Sequence, residues 1–264
     1  MDDTLIFIKL GGSLITYKDQ PESARPEIIE ASLRAILTLR ENNPRLHILL
    51  GHGSGSFGHT IARRYGTMDG VKTPEDWVGF AEVAKAAKAL NDLVIEIGQK
   101  IGLPLELFRP STNVLTCNRK IISWNLAPIR AALQEGTIPL VYGDVVIDTV
   151  LGGTILSTEE LFLHLVDYLK PSKMLIAGIE AGVFADFPKR SLVIPEISRD
   201  DSLSGFTLDG AQTPDVTGGM LAKVRLLQSA CAINPGMSAF IYSGLDAENS
   251  NRIVAGQHVG TQIR

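Results

Sequence analysis

Residues 46–59 read Leu46-His47-Ile48-Leu49-Leu50-Gly51-His52-Gly53-Ser54-Gly55-Ser56-Phe57-Gly58-His59, an apolar run that passes directly into a glycine-rich turn. A short apolar run that ends at glycine is typical of a strand buried on both faces of a sheet. Glycine allows the backbone to turn tightly and to approach a ligand closely. The stretch therefore predicts a buried strand with a binding turn at its carboxyl end.

The same order of strand, glycine turn and helix continues in both directions along the chain. Further apolar runs occur at 5–10, 105–108, 138–142, 173–177 and 239–242, and most of them end at glycine. Helices are predicted for 26–42 and 74–101, and further helices are predicted to begin near 158 and 218. The repetition predicts an α/β fold, a three-layer α/β/α sandwich with a mainly parallel central sheet. Ligands bind such sheets at the carboxyl ends of the strands, where these glycines collect.

Two regions fit this alternation less well. Residues 186 to 214 are rich in proline and glycine and predict a hairpin or excursion near the site. A last short strand is predicted near Arg252-Ile253-Val254.

Phe80, Val83, Ala84 and Ala87 have a spacing that suits either an apolar tail pocket or ordinary core packing.

Composition excludes several classes of function. The net charge of -4 and the pI of about 5.8 argue against a nucleic-acid surface, which needs a basic excess. No apolar run approaches the roughly 20 residues of a membrane span, and the acidic start lacks the features of a signal peptide. Cys117 and Cys231 stand outside any zinc-type spacing, so no protein-held metal is predicted. We expect a cytoplasmic protein that binds neither nucleic acid nor membrane.

Four strand ends combine glycine with small or basic residues. They are Lys9-x-Gly11-Gly12-Ser13, Gly53-Ser54-Gly55-Ser56, Gly143-Asp144, and Thr217-Gly218-Gly219 with Lys223. Backbone amides at glycine can approach phosphate oxygens closely, and lysines neutralise a transferring phosphoryl group. Taken singly, each glycine is explained more simply as a turn residue. Their recurrence at one edge of the sheet predicts a phosphate site.

Two other nucleotide motifs are absent or out of context. The chain contains no G-x-x-x-x-G-K-[ST] sequence. Gly53, Gly55 and Gly58 match the spacing of a dinucleotide fingerprint, but no acidic residue ends a strand about twenty residues later. A dinucleotide enzyme is therefore a weak alternative.

The motifs resemble those of the amino acid kinase superfamily and, within it, the isopentenyl phosphate kinases. The resemblance is carried by Lys9-Leu10-Gly11-Gly12-Ser13-Leu14-Ile15-Thr16-x-Lys18, the turn from His52 to His59, Gly143-Asp144-Val145-Val146-x-Asp148, and Asp215-Val216-Thr217-Gly218-Gly219-Met220-x-x-Lys223-Val224. The first of these motifs marks only the superfamily. The Gly-x-Gly-Ser-Phe-Gly-His ending is more specific, although phosphonate kinases such as fosfomycin kinase share part of it.

The resemblance implies a role for each motif residue. The ATP phosphates would be held by Lys9 and the amides of Gly11, Gly12 and Ser13, with Gly55, Gly178, Gly219 and Lys223 completing the nucleotide site. Lys18 would stabilise the transition state, and Asp144 would orient lysines or bound Mg²⁺. The acceptor phosphate would be bound by Ser54, Gly55, His59 and Gly143. A homodimer and separate lobes for acceptor (1–169) and nucleotide (170–264) are also implied.

Three departures from the family pattern stand out. Ser54 replaces a family glycine, and its hydroxyl can still donate to phosphate. Ser157-Thr158-Glu159-Glu160 stands where the family often has Ser-Gly-Asp-Asp. Gly178-Ile179-Glu180-Ala181-Gly182-Val183-Phe184 replaces Thr-Asp-x-Asp-Gly-Val-Tyr, which bears on nucleotide contacts and preference.

The chemistry of each single residue favours a functional role in some cases and a structural role in others. Lys9 lies in an apolar strand before a turn, so a ligand role is favoured over a structural one. Lys18 alone would be read as a surface charge and His59 as a helix-start histidine, and only the motif favours function. His52 is predicted to be a packed structural histidine. Glu159 and Glu160 are predicted to be charges at a helix N-terminus rather than catalytic groups.

The resulting hypothesis is ATP-dependent transfer of a phosphoryl group to isopentenyl phosphate. An acceptor phosphate is already ionised at neutral pH, so the reaction needs no general base. One alternative is a sibling kinase for a phosphonate, a carboxylate or a nucleoside monophosphate. Another is a non-catalytic nucleotide-binding protein of the same fold, against which Lys9, Lys18 and Lys223 together argue.

Overall fold

A computed structural model describes residues 4–203 and 219–264. Its strands are β1 (Thr4–Leu10), β2 (Leu46–His52), β3 (Leu105–Leu107), β4 (Val114–Cys117), β5 (Lys120–Trp124), β6 (Ile138–Tyr142), β7 (Asp144–Asp148), β8 (Gly152–Leu156), β9 (Lys173–Gly178), β10 (Glu196–Ile197), β11 (Ser238–Ser243) and β12 (Thr261–Ile263). Its helices are α1 (Gly12–Ile15), α2 (Pro26–Asn42), α3 (Gly55–Tyr65), α4 (Pro74–Lys100), α5 (Pro110–Asn113), α6 (Ala127–Gln134), α7 (Thr158–Leu169), α8 (Gly219–Ile233) and α9 (Asn249–Val254).

Eight of these strands form the central sheet, in the order β10-β12-β11-β9-β1-β2-β6-β3. From β11 to β3 every neighbouring pair is parallel, and β12 runs antiparallel to β11. Strand β1 lies between β9 and β2, with Lys9 in register with Ile176 on one side and Gly51 on the other. The carboxyl ends of the five strands β11, β9, β1, β2 and β6 therefore meet at one edge.

Two hydrophobic cores lie on the two faces of this sheet, because successive side chains of a strand point to opposite faces. Ile6 and Ile8 of β1 pack with α2, α4 and α9 in one core. Phe7 packs with α6, α7 and α8 in the other, where its ring lies 5.1 Å from that of Phe162. Helices on both faces of a mainly parallel sheet confirm the predicted three-layer α/β/α sandwich.

A second, four-stranded sheet in the order β5-β4-β7-β8 was not predicted. Its strands have four or five residues, β4 carries a register irregularity, and β5 is largely exposed. Such short strands lack the apolar run that identified the central strands. Asp148 holds the sheet's turns together, since its carboxylate accepts from the N–H groups of Asn118, Arg119, Val150 and Leu151 and from the Thr116 hydroxyl.

The strand predicted near 252–254 was wrong, because these residues lie in α9. Ile253 is buried and belongs to the core shared with α2, so a helix turn rather than a strand places it there. The last strand is β12, nearer the chain end. In the predicted excursion after 186, Phe184 and Val193 form an antiparallel bridge and β10 follows. Gly205, Gly210 and Pro214 of that prediction lie outside the described residues.

Two searches of the described ranges, 4–203 and 219–264, gave negative results. No helix there combines the length and the apolar character needed to cross a membrane. Nor do those residues contain a group of three or more histidine, cysteine or acidic side chains placed to hold a metal ion.

Candidate active site

Backbone hydrogen bonds join the loops that follow four neighbouring strands. Gly11 N donates to Ala177 O at 2.8 Å, which ties the end of β1 to β9. Gly53 N donates to Leu10 O at 3.0 Å, and Gly143 N donates to His52 O at 3.1 Å. The ends of β9, β1, β2 and β6 are thus connected into one continuous floor.

Glycine is required on this floor because two loops touch backbone to backbone. A Cβ atom on Gly12 would lie 2.6 Å from Gly55 Cα, and one on Gly53 would lie 2.9 Å from Gly12 N. Gly55 also has a φ of +50°, a region that favours glycine. The Thr16 hydroxyl joins the loops further, donating to Gly12 O at 2.7 Å and accepting from Ser56 N at 3.0 Å. Gly12, Gly53 and Gly55 are therefore required for the packing of the two loops, whether or not a ligand is bound.

A cleft of about 510 Å³ opens above this floor. With one exception, every residue predicted for the site lines it: Lys9, Gly11, Gly12, Ser13, Lys18, Ser54, Gly55, His59, Gly143, Gly178, Gly219 and Lys223. Residues 215–218 of the last motif lie outside the described residues. The structure thus brings motifs separated by more than 200 residues of sequence to one cavity.

Asp144 is the exception, because its carboxylate does not line the cleft. It is fully buried, accepting from Val145 N at 2.9 Å and Ser111 N at 3.3 Å, with Arg109 Nε at 3.5 Å. Burial raises the pKa of this carboxyl, and the contacts with Ser111 and Arg109 only partly offset that effect. The cation that these contacts give Asp144 is Arg109, so they lend no support to the prediction that it orients lysines or Mg²⁺.

Glu159 is a site residue that the sequence reading missed. Its carboxylate lines the cleft and forms an ion pair with the Lys9 ammonium, and both side chains are buried. Burial alone would raise the pKa of Glu159, but the positive charges of Lys9 and then Lys223 hold it below the ordinary value. Glu159 is thus paired with Lys9 of β1 and lies within the electrostatic influence of Lys223 of α8, an arrangement close to the one that had been predicted for Asp144.

The first turn of α7 explains how Glu159 is placed. Ser157 and Glu160 form a reciprocal capping box, in which each side chain accepts from the backbone N–H of the other. Glu160 also pairs with Arg119 at 2.8 Å. The prediction that both residues are charges at a helix N-terminus was therefore confirmed, and Glu159 in addition points inward to Lys9. The available signals were a lysine in an apolar strand, which needs an anionic partner when buried, and the acidic start of α7.

The two ends of the cleft differ in chemistry. Beyond half-buried His59, on α3, one end is lined by apolar side chains: Ala62, Met68, Val83 and Ile155. Of the four residues proposed for a tail pocket, Val83 lines this end, whereas Ala87 is 1% exposed within α4. The exposed Lys18 and Arg63 stand at the rim.

The opposite end lies beyond Gly178 and the start of α8. It is lined by Glu180, Phe184, Phe187 and Arg190, together with Gly219 and Lys223. Arg190 pairs with Glu180 at 3.2 Å and stacks 5.3 Å from the centre of the Phe187 ring. The cleft therefore has an aromatic, charged end and an apolar end, with Lys9 and the glycine floor between them.

Comparisons with known proteins agree with one another. The model of the amino acid kinase family matches residues 4–242. Isopentenyl phosphate kinase of Methanothermobacter thermautotrophicus is 32% identical over 269 residues, covering 98% of each chain. The enzyme of that name from Haloferax volcanii is 32% identical and covers 99% of each chain. A solved structure of isopentenyl phosphate kinase, 28% identical, superposes with a TM-score of 0.83 over 98% of this chain and 100% of the other.

Proposed function

This chain belongs to the amino acid kinase family, and on that basis we propose that it transfers the γ-phosphoryl group of ATP to isopentenyl phosphate. The relatives that resemble it over nearly their whole length bear the name of that activity. The observation in this chain that carries the proposal is a single cleft lined by His59, by three lysines and by a group of apolar side chains. A small phosphate with a short hydrocarbon tail matches both surfaces.

The reaction balances without a general base. An oxygen of the acceptor phosphate forms a bond to the γ-phosphorus, and the bond from that phosphorus to the bridging oxygen breaks, which leaves ADP. The attacking oxygen is already ionised, so no proton has to be removed. The demand on the protein is positioning and neutralisation of charge, to which Lys9, Lys18 and Lys223 are suited.

The donor groups around the cleft suit a nucleotide that brings its own metal ion. Mg²⁺ in kinases is held largely by phosphates and water, with one or two carboxylates. The described residues contain no three-ligand cluster, which fits a metal held mainly by ATP. When bound, Mg²⁺ would neutralise charge on the phosphates, while the Gly12 and Ser13 amides and Lys223 would hold the nucleotide. The Gly11 amide, which was also predicted to bind phosphate, instead donates to Ala177 O. A homodimer and a cytoplasmic location also belong to this proposal.

The test is ADP formation by the purified protein with ATP, Mg²⁺ and a panel of acceptors. We expect rapid ADP release with isopentenyl phosphate and little with fosfomycin, a carboxylate substrate or a nucleoside monophosphate. A Lys18→Ala variant, altered at an exposed residue, serves as the control for contaminating ATPases. Faster turnover of another acceptor would reassign the substrate, and binding of ATP without any turnover would favour the non-catalytic alternative.

A further inference from the structure

His52 lies at the end of β2, directly before the glycine turn, and is completely buried. Its Nδ1 is 3.1 Å from the carbonyl oxygen of Gly53, and its Nε2 is 3.2 Å from Oδ1 of Asn91 on α4. The ring stacks on Tyr142, with centroids 5.4 Å apart and planes inclined by 6°. These contacts fix the imidazole on both edges and on one face.

The bond to Gly53 controls a group that faces the cleft. The C=O of Gly53 and the N–H of Ser54 belong to one planar peptide and, in the trans form, point in opposite directions. The buried ring holds the carbonyl on the protein side of the turn. The Ser54 N–H is therefore directed away from the ring, and both Gly53 and Ser54 line the cleft.

The proton arrangement follows from the partners. A carbonyl oxygen only accepts, so the contact with Gly53 requires a proton on Nδ1. Burial lowers the pKa of His52, which favours the neutral ring despite its two hydrogen bonds, and the charge of Lys9 acts in the same direction. In a neutral ring with a proton on Nδ1, Nε2 must accept. Asn91 can donate to it, because rotating its amide by 180° exchanges Oδ1 with Nδ2, an atom that has no other partner among the described residues.

We propose that His52 and Asn91 are a positioning pair, in which the Asn91 amide donates to Nε2, Nδ1–H donates to Gly53 O, and the Ser54 N–H is thereby aimed at the phosphoryl group in transit. This inference rests on the proposed phosphoryl transfer. The backbone of His52 contributes to the same arrangement, since its carbonyl accepts from the Thr158 hydroxyl at 2.6 Å. Thr158 precedes Glu159, so one residue positions both the glycine turn and the helix that carries the partner of Lys9.

Two substitutions at this position separate the proposed role from simple packing. In His52→Asn the side-chain amide can take the place of Nδ1 and still donate to Gly53 O, whereas in His52→Gln it can take only the place of Nε2. Both remove the ring from its stack on Tyr142, so both lose similar packing. We expect kcat to fall about 10- to 100-fold further in His52→Gln than in His52→Asn, with similar KM values for ATP, because a misdirected amide donor loses its bond to the charged phosphoryl group.

Equal kcat values in the two variants would overturn the proposal and leave His52 as a packing residue. A second measurement reads the proton position in the wild-type protein and uses a variant only to assign the signals. The ¹⁵N spectrum of imidazole-labelled wild-type protein, with the His52 signals assigned by their loss in a variant, shows which nitrogen carries the proton. A proton on Nδ1 alone at neutral pH supports the pair, and a proton on Nε2 overturns it. Absence of any transfer to isopentenyl phosphate by the wild type is a different result, which would reject the proposed function instead.

Discussion

At the scale of single residues, the centre of the cleft is a balance of charge. Lys9 is 6% exposed, a degree of burial that an ammonium group reaches only with an anionic partner. Glu159 is that partner, and the second positive charge acting on Glu159 comes from Lys223 on α8. A lysine that is held in place before the substrate arrives loses little further conformational entropy when the phosphates bind.

Glu159→Gln tests this balance. The amide keeps an acceptor oxygen but removes the negative charge, so Lys9 stays buried and loses the charge of its ion-pair partner. We expect the free energy of unfolding to fall by about 3 kcal/mol, as measured by urea denaturation, and kcat to fall roughly 10- to 100-fold. Glu160→Gln is the matched control one residue later. Glutamine preserves the capping box, and the half-exposed pair with Arg119 is worth at most about 1 kcal/mol, so its kcat should stay near that of the wild type.

The same pair predicts a pH dependence of stability. The pKa of Glu159 is lower in the folded protein than its ordinary value. The stabilisation is therefore complete above the ordinary glutamate pKa of about 4.3 and is lost as the pH falls through the lower, folded value. In urea denaturation across the acidic range, the advantage of the wild type over Glu159→Gln should be constant above about pH 5.5 and should shrink below pH 4.5. An advantage that grows on acidification would contradict this account.

His59 carries the prediction about the acceptor. Its imidazole can donate to the face of a phosphate that the glycine turn does not reach. We expect His59→Ala to lower kcat/KM for isopentenyl phosphate by about 10- to 150-fold, the loss expected for one charge-assisted hydrogen bond, with the KM for ATP nearly unchanged. The kcat/KM of His59→Gln, which keeps a hydrogen-bond donor without the charge, should lie between the values of the wild type and of His59→Ala. His164→Gln, at a ring stacked on Trp124 and in tilted contact with Tyr168, is the control and should retain wild-type kinetics.

At the scale of elements, the contact between the loops after β1 and β2 sets the floor of the cleft. Gly12 begins α1 and Gly55 begins α3, and the backbones of the two helices meet where no side chain fits. Short helices of four residues have little stability of their own. The position of α1 therefore depends on this contact and on the Thr16 hydroxyl, which is bonded to both loops.

Gly12→Ala should separate these two loops. The added methyl group meets the backbone of Gly55, which cannot move away as a flexible side chain would. We expect the free energy of unfolding to fall by about 1–3 kcal/mol, as measured by thermal or urea denaturation. We also expect kcat to fall by more than the loss of folded protein accounts for. Gly236→Ala is the control, because a Cβ there meets nothing within 4 Å and no positive φ is involved. Its stability should be unchanged or higher by up to about 1 kcal/mol.

How far the sequence could be read depended on the length of the local signal. The central strands and the long helices were predictable because apolar runs such as 46–50 and helical spacing such as that of α2 persist over several residues. The four-stranded sheet was not, because its strands are short and alternate with exposed residues such as Ile122 and Ile147. At the site, the motif residues were identified by their resemblance to the family pattern, and His52 was correctly predicted to be a packed structural histidine. The ion pair of Glu159 with Lys9 was not predicted, because it depends on which neighbours the tertiary fold supplies.

At the scale of the whole molecule, the cleft joins two parts of the chain. The proposed acceptor lobe, 1–169, supplies the glycine turns, His59 and the apolar end. The proposed nucleotide lobe, 170–264, supplies Gly178, Gly219 and Lys223. Glu159 comes from the first part, and the positive charge of Lys223 in the second part lowers its pKa. An electrostatic interaction therefore links the two parts.

Lys223→Ala tests this division. If Lys223 binds the nucleotide, the substitution should raise the KM for ATP about 10-fold or more before it changes that for isopentenyl phosphate, as expected for a lost ion contact of 1.5–3 kcal/mol. Lys18→Ala is the matched comparison from the other lobe. A lysine that acts mainly in the transition state should lower kcat with little change in either KM. An effect of Lys223→Ala confined to the acceptor would overturn the assignment of the lobes.

The position of Lys9 on β1 also determines when this residue leaves the site during denaturation. Local opening costs almost nothing at fraying ends and exposed turns, whereas central strands open only at the full free energy of unfolding. β1 is hydrogen-bonded on both sides and covered on both faces, so the backbone that carries Lys9 belongs to the last group of amides to exchange with solvent. The placement of Lys9 and the global structure should therefore be lost together during denaturation, because no opening confined to the loops releases this lysine from the sheet.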